Sequence, residues 1–229
     1  MTETNVPEGC VDLSDRAQPV PRVVAMGKYL HVPDNSRFVP PRVLARQPAT
    51  SSAVFLDRDG VIVEDVHFLK SPAQLRILPG AAQALHTLQD QFYIIVVTNQ
   101  SGVARGLLTE DDLMAIHLEL VQRLAIEGVV LDALYYCPHL PEATVEAYQA
   151  ECSCRKPKPG MLLQAKRDWG LDMAHSFIVG DTPRDIEAGC AAGVKCILLN
   201  DGSAALPSKY SLVPDLAGVV RLILAQGGS

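Results

Sequence analysis

From Ser51 onward the chain alternates short apolar runs with longer amphipathic stretches. Ala53 to Leu56, Phe92 to Val97, Ala133 to Tyr136, Phe177 to Val179 and Val194 to Leu199 are each a few residues long and bounded by turn chemistry, the pattern of buried strands. Helices are predicted between them. Pro79-Gly80 opens one that runs through Asp90. Thr109 and Asp112 form a capping-box pattern ahead of another, to about Glu127. Pro159 suits the first turn of a helix to Gly170, and Pro183 starts one to about Ala192. Residues 215–226 read as a terminal helix. Alternation of this kind predicts a single α/β domain over 51–229, a Rossmann-like parallel sheet with helices on both faces and no large cap domain. No internal repeat is present.

The first 50 residues break the pattern. They hold seven of the sixteen prolines, which remove amide donors and block long helices. Only short apolar pieces interrupt them, Val23 to Met26 and Tyr29 to Val32, each a candidate small strand. The stretch is expected to be a partly ordered N-terminal extension rather than a domain. A monomer is expected, with this arm as the candidate for self-association.

Charge narrows the partners. The net charge of −6 argues against nucleic acid. No apolar run is long enough to span a bilayer, so no membrane association is expected. The start of the chain lacks the charged and apolar halves of a signal peptide, which leaves the cytoplasm as the expected location. Three of the six cysteines fall between residues 137 and 154, the spacing of a metal cluster rather than of a disulfide framework. Cys190 and Cys196 read as core.

Polar groups recur where strands end. Asp57 and Asp59 follow the first strand, separated by one residue and followed by Gly60. Alternate residues of an extended chain point the same way, so both carboxylates are expected beside one another, a pair that repels unless one takes a proton or a cation such as Mg²⁺ lies between them. Thr98 and Asn99 follow the second strand, and Asp181 follows the fourth, with Asp185 one turn on. In a parallel sheet these ends share one edge, where open α/β sheets bind ligands. Arg155-Lys156 can supply the positive charge that edge lacks. Carboxylates, a hydroxyl and a lysine together suit phosphoryl transfer, with an aspartate as nucleophile. Each member has a plainer reading: Thr98 can simply end a strand, Asp181 can cap a helix, and Lys156 can be a solvated loop lysine.

The segments L-D-R-D-G-V, V-T-N-Q-S-G-V-A-R-G, C-R-K-P-K-P-G and V-G-D-T-P-R-D resemble the four motifs of the haloacid dehalogenase superfamily of phosphatases, over roughly residues 52–200. The resemblance implies Asp57 as nucleophile, forming an aspartyl-phosphate, and Asp59 as general acid and then base. It implies Mg²⁺ held by the Asp57 carboxylate, the Asp59 carbonyl and Asp181, with Thr98 and Lys156 on the transferring phosphoryl group. Cys137, His139, Cys152 and Cys154 supply three thiols and an imidazole, a closed structural Zn²⁺ set that would hold the loop before Arg155 and Lys156. Buried free cysteines or a C-x-C disulfide are the alternatives.

This loop is similar to that of the branches acting on heptose bisphosphate and on histidinol phosphate. The long span from His139 to Cys152 and the run N-Q-S-G-V-A-R-G favour the heptose branch. A small phosphorylated sugar is therefore the expected substrate, with Asn99, Arg105 and Arg155 as its binding residues. The product would feed nucleotide-activated heptose for lipopolysaccharide. Val63, His67-Phe68 and Thr182 depart from that branch and are expected on the sugar side. Residues 60–70, 100–108 and 137–158 should surround the substrate. The rival of another class, a non-catalytic binding module, would be expected to have lost at least one of Asp57, Asp59, Thr98, Lys156 and Asp181.

Overall fold

The computed structural model of the protein describes residues 22–24, by their backbone, and 48–199 and 210–226. Their strands form one seven-stranded sheet. In chain order they are β1 Arg22–Val24, β2 Ala53–Leu56, β3 Tyr93–Asn99, β4 Ala133–Cys137, β5 Phe177–Gly180, β6 Lys195–Leu199 and β7 Ser211–Val213. The helices are α1 Ala81–Leu88, α2 Glu110–Ile126, α3 Gly160–Trp169, α4 Pro183–Ala192 and α5 Leu216–Gln226.

The spatial order is β1-β4-β3-β2-β5-β6-β7, and every pair is parallel except β1 with β4. After β2 the chain builds outward through β3 and β4, then returns to build the other half from β5. The order reverses beside β2, and such a switch point opens a crevice at the carboxyl ends of the strands. β2 is buried at all four positions, which accounts for its unbroken apolar run. Side-chain alternation divides the core. Val54, Leu56, Ile94, Val96 and Val179 join α1, α2 and α5 in one cluster. Ala53, Phe55, Ile95, Val97 and Ile178 join α3 and α4 in the other, so helices cover both faces.

The predicted capping box is present. Thr109 Oγ1 accepts from the Asp112 amide at 3.1 Å, and Asp112 Oδ2 accepts from the Thr109 amide at 2.8 Å. At α4 the same arrangement uses Thr182 and Asp185, so Thr182 rather than Asp181 precedes the helix. Thr98 and Asn99 belong to β3, paired with Tyr136 and Cys137, instead of lying beyond its end.

Other differences have simple causes. β7 was not expected; it is a three-residue edge strand with exposed Leu212, and carries no buried pattern to read. Cys190 is exposed rather than core, because it sits on the outer side of α4's last turn, while half-buried Cys196 lies 3.5 Å from it. Of the Pro-rich extension, Arg22–Val24 forms the antiparallel edge strand. The candidate strand through Tyr29 to Val32, and Cys10, lie outside the described residues.

One buried polar group bears on stability. His117 of α2 is fully buried, 5.5 Å ring to ring from Tyr136, with no partner for either nitrogen. Burial, then the Arg58 charge, hold its pKa well below the usual 6.5. The folded state keeps His117 neutral while the unfolded chain takes up a proton, so its contribution is full above pH 6.5 and is lost as pH falls below it. Relative to His117→Leu, wild type should lose about 1.4 kcal/mol per pH unit below that point, read from urea midpoints; parallel curves would contradict this.

Candidate active site

At the switch point the backbone turns sharply after β2. The Asp57 amide still donates to Val179 O at 3.0 Å, and the amides of Ile62 and Val63 return to Arg58 O. Gly60 makes the turn possible with φ of 75°; a side chain there would collide with the Asp181 carboxylate. The turn leaves a cleft of about 350 Å³, lined by Asp57 to Asp59, Asn99, the three segments expected to surround the substrate, and 181–185, of which Asp181 and Thr182 were expected there.

Lys156 lies at its floor, 2 % exposed. Its ammonium reaches Val97 O at 2.8 Å, Asp57 Oδ2 at 3.0 Å and Asp185 Oδ1 at 2.5 Å, one acceptor for each N–H. Burial opposes its charge, but the two carboxylates outweigh burial and raise its pKa. Asn99 fixes the lysine's backbone, donating to Lys156 O and accepting from its amide, both at 3.0 Å. Asn99 lines the cleft, yet this backbone grip is what the structure shows for its amide.

Asp57, Asp181 and Asp185 each offer an oxygen, all within 4.8 Å of one another. Burial, only partly offset by Lys156, raises the Asp57 pKa; burial and then Asp57 and Asp185 push Asp181 up to about 6. Three carboxylates around one lysine leave uncompensated negative charge, and a hard divalent cation such as Mg²⁺ fits that donor set. The sequence pointed to a cation between Asp57 and Asp59. The structure instead groups Asp185 with Asp57 and Asp181, while the Asp59 carboxylate turns to Arg58 and Gln100. The place implied for Asp59 through its carbonyl is unaffected. Thr98 is 1 % exposed and accepts from Gln100 Nε2 at 2.9 Å, beneath the residues that line the cleft.

Arg105, Arg155 and Arg184 also line the cleft. Burial chiefly, together with the Arg184 and Arg105 charges, lowers the Arg155 pKa, so the three guanidiniums act on one region. Arg184 went unremarked in the sequence because it is an exposed position on an amphipathic helix. Arg105 lies over the Phe68 ring at 5.9 Å, and His67 beside it adopts a φ of 72°, an uncommon backbone state for a histidine. Both His67 and Phe68 line the cleft, as does Thr182. Val63 does not share that side: it is fully buried, bridged by its backbone to Asp59 and Ile77.

The cysteine loop closes on itself. Cys137 Sγ lies 3.5 Å from Cys152 Sγ, 3.3 Å from Cys154 Sγ and 3.6 Å from His139 Nδ1. These spacings approach the roughly 3.8 Å between sulfurs that Zn–S bonds of about 2.3 Å impose. Hydrogen bonds with Cys137 and Cys152, then burial, push the Cys154 thiol far up. All four residues are buried, so a Zn²⁺ here has the closed set of a structural site. Arg155 Nη1 donates to His139 O at 3.3 Å, and the Gly160 amide to Ser153 O at 2.9 Å, tying the cluster to Lys156 and α3.

The HAD-hydrolase-like family profile matches residues 153–217. The chain belongs to the haloacid dehalogenase-like hydrolases, as one of their phosphatases. The particular relatives are heptose phosphatases. D-glycero-beta-D-manno-heptose-1,7-bisphosphate 7-phosphatase of Rhodopseudomonas palustris is 44 % identical over 143 residues, 62 % of this chain and 79 % of that protein. The protein of the same name from Escherichia coli (strain K12) is 41 % identical, over 68 % and 82 %. D,D-heptose 1.7-bisphosphate phosphatase from B. bronchiseptica, crystallised with magnesium and phosphate, matches with a TM-score of 0.68 and 38 % identity, over 76 % of this chain and 99 % of that one.

Cys152→Ala should remove bound zinc, from about one per chain to near none by metal analysis, and lower the melting temperature by roughly 5–10 °C. Wild-type protein purified without chelators and holding far less than one zinc per chain would defeat the assignment.

Proposed function

We propose that the protein removes the 7-phosphate of D-glycero-D-manno-heptose 1,7-bisphosphate through an aspartyl-phosphate on Asp57. An Asp57 carboxylate oxygen bonds to phosphorus as the bond to the sugar oxygen breaks, and that oxygen takes a proton from Asp59. Water then bonds to phosphorus, gives a proton to the Asp59 carboxylate, and releases phosphate and free Asp57. Lys156 keeps Asp57 oriented through its contact with Oδ2, and the Arg58 amide donates to Oδ1 at 2.7 Å. Asp57, Asp181 and Asp185 are the side chains that would hold Mg²⁺, whose charge offsets that of the phosphoryl oxygens.

The observation that carries the substrate class is the presence of Arg105, Arg155 and Arg184 in the cleft of the nucleophile. Exposed or half-buried guanidiniums suit a second phosphate on the substrate, and the relatives' names specify such a bisphosphate. Histidinol phosphate is the second reading. Its imidazole has an aromatic surface in Phe68, but it offers the arginines no second anion. Nucleotide-activated heptose is the pathway the product suits.

Phosphate release from both anomers of the bisphosphate and from histidinol phosphate, with and without Mg²⁺, tests this. Release should need Mg²⁺, favour the bisphosphate by at least about tenfold, and fall at least about a thousandfold in Asp57→Asn. A preference for histidinol phosphate would overturn the substrate. No release from any substrate would favour a binding module.

A further inference from the structure

Apart from Asp65, whose carboxylate accepts from the His67 amide, four carboxylates line this cleft, and three of them form the cation-type cluster. The fourth, Asp59, is held apart. Its Oδ1 accepts from Arg58 Nε at 3.1 Å and Nη2 at 3.0 Å. Its Oδ2 accepts from Arg58 Nη2 at 2.9 Å and from Gln100 Nε2 at 2.8 Å. The two donors are joined, Arg58 Nη2 to Gln100 Oε1 at 2.9 Å.

This arrangement is costly for the fold. Arg58 is 1 % exposed, and its Nη1 is buried without a partner. A buried guanidinium persists only when a carboxylate compensates it, and among the described residues Asp59 is the ion-pair partner. Neighbouring side chains on an extended chain point apart; here Arg58 doubles back to its neighbour because the Gly60 turn bends the backbone. Gln100 is equally fixed: its amide donates to Cys137 O at 2.8 Å and its side chain to Thr98 Oγ1 at 2.9 Å. An apolar pair at these two positions would pack more cheaply, so the features require a role at the site.

We infer that Arg58 and Gln100 are positioning residues for proton transfer: they hold the Asp59 carboxylate toward the leaving-group oxygen and away from the Asp57, Asp181 and Asp185 cluster. The inference rests on the reading of Asp59 as acid and base given above. Lys156 sorts one set of carboxylates, and the Arg58–Gln100 clamp sorts the other. Anchored on Cys137 O, the clamp also connects Asp59 to the first residue of the cysteine cluster.

The test separates positioning of the acid from general damage by the leaving group it must protonate. The value of kcat/KM reports only steps through departure of the leaving group. A sugar alkoxide needs a proton; p-nitrophenolate does not. Gln100→Leu should lower kcat/KM for the heptose bisphosphate by roughly 10- to 100-fold and change that for p-nitrophenyl phosphate by less than about threefold. Gln100→Met carries the comparison should the leucine variant not fold. Equal losses on both substrates, or no loss on either, would overturn the clamp. A wild-type protein that cleaves neither substrate would overturn the phosphatase reading, and the clamp with it.

Discussion

The site depends on one buried ammonium. Lys156 donates to Val97 O of β3, to Asp57 after β2 and to Asp185 of α4, so a single side chain joins both halves of the sheet at the point where the strand order reverses. Its burial is tolerated because both carboxylates compensate it, and removing either would leave a charge stranded in a low-dielectric position. The orientation of Asp57 and the geometry of the acidic cluster therefore share a common support.

That support is itself held from behind. Lys156 follows a loop pinned by four converging ligand atoms, and its backbone is gripped on both sides by Asn99. Gly160 lies too close to Ser153 O to admit a side chain, which places the start of α3 directly against the cysteine loop. Order passes from the cluster to Arg155, then to Lys156, then to Asp57. A zinc in this place contributes to chemistry only by fixing where a cation stands.

The elements that were legible in the sequence are those whose signals are local. Apolar runs, capping pairs and proline starts located five strands and five helices, and carboxylates at strand ends located Asp57, Asp59 and Asp181. The rest was set by tertiary contacts. An arginine between two aspartates reads as a surface residue; only the Gly60 turn and the proximity of Gln100 show that it is buried and paired with Asp59. Asp185 reads as a helix residue one turn on from Asp181, and its contact with Lys156 is what brings it to the acidic cluster. Val63 was misplaced because adjacency in sequence suggested adjacency to the sugar, whereas the turn directs it into the core.

Charge along the cleft has an order that follows from these placements. Asp57, Asp59, Asp181 and Asp185 face only Arg58 and Lys156 as buried cations, which leaves the reacting end short of two positive charges. A phosphoryl dianion brought there alone would be repelled, so a divalent cation held by the cluster would aid binding as well as chemistry. Arg105, Arg155 and Arg184 belong to the more exposed part of the same cleft and have no such deficit. A substrate bearing two phosphates would be drawn first to the arginines and oriented by them. The phosphate to be removed would then meet Asp57 only where the cation has already balanced the acidic cluster. On the proposed reading, selectivity for a bisphosphate would arise from the separation of the two charge regions, without any ring of the protein having to recognise the sugar itself.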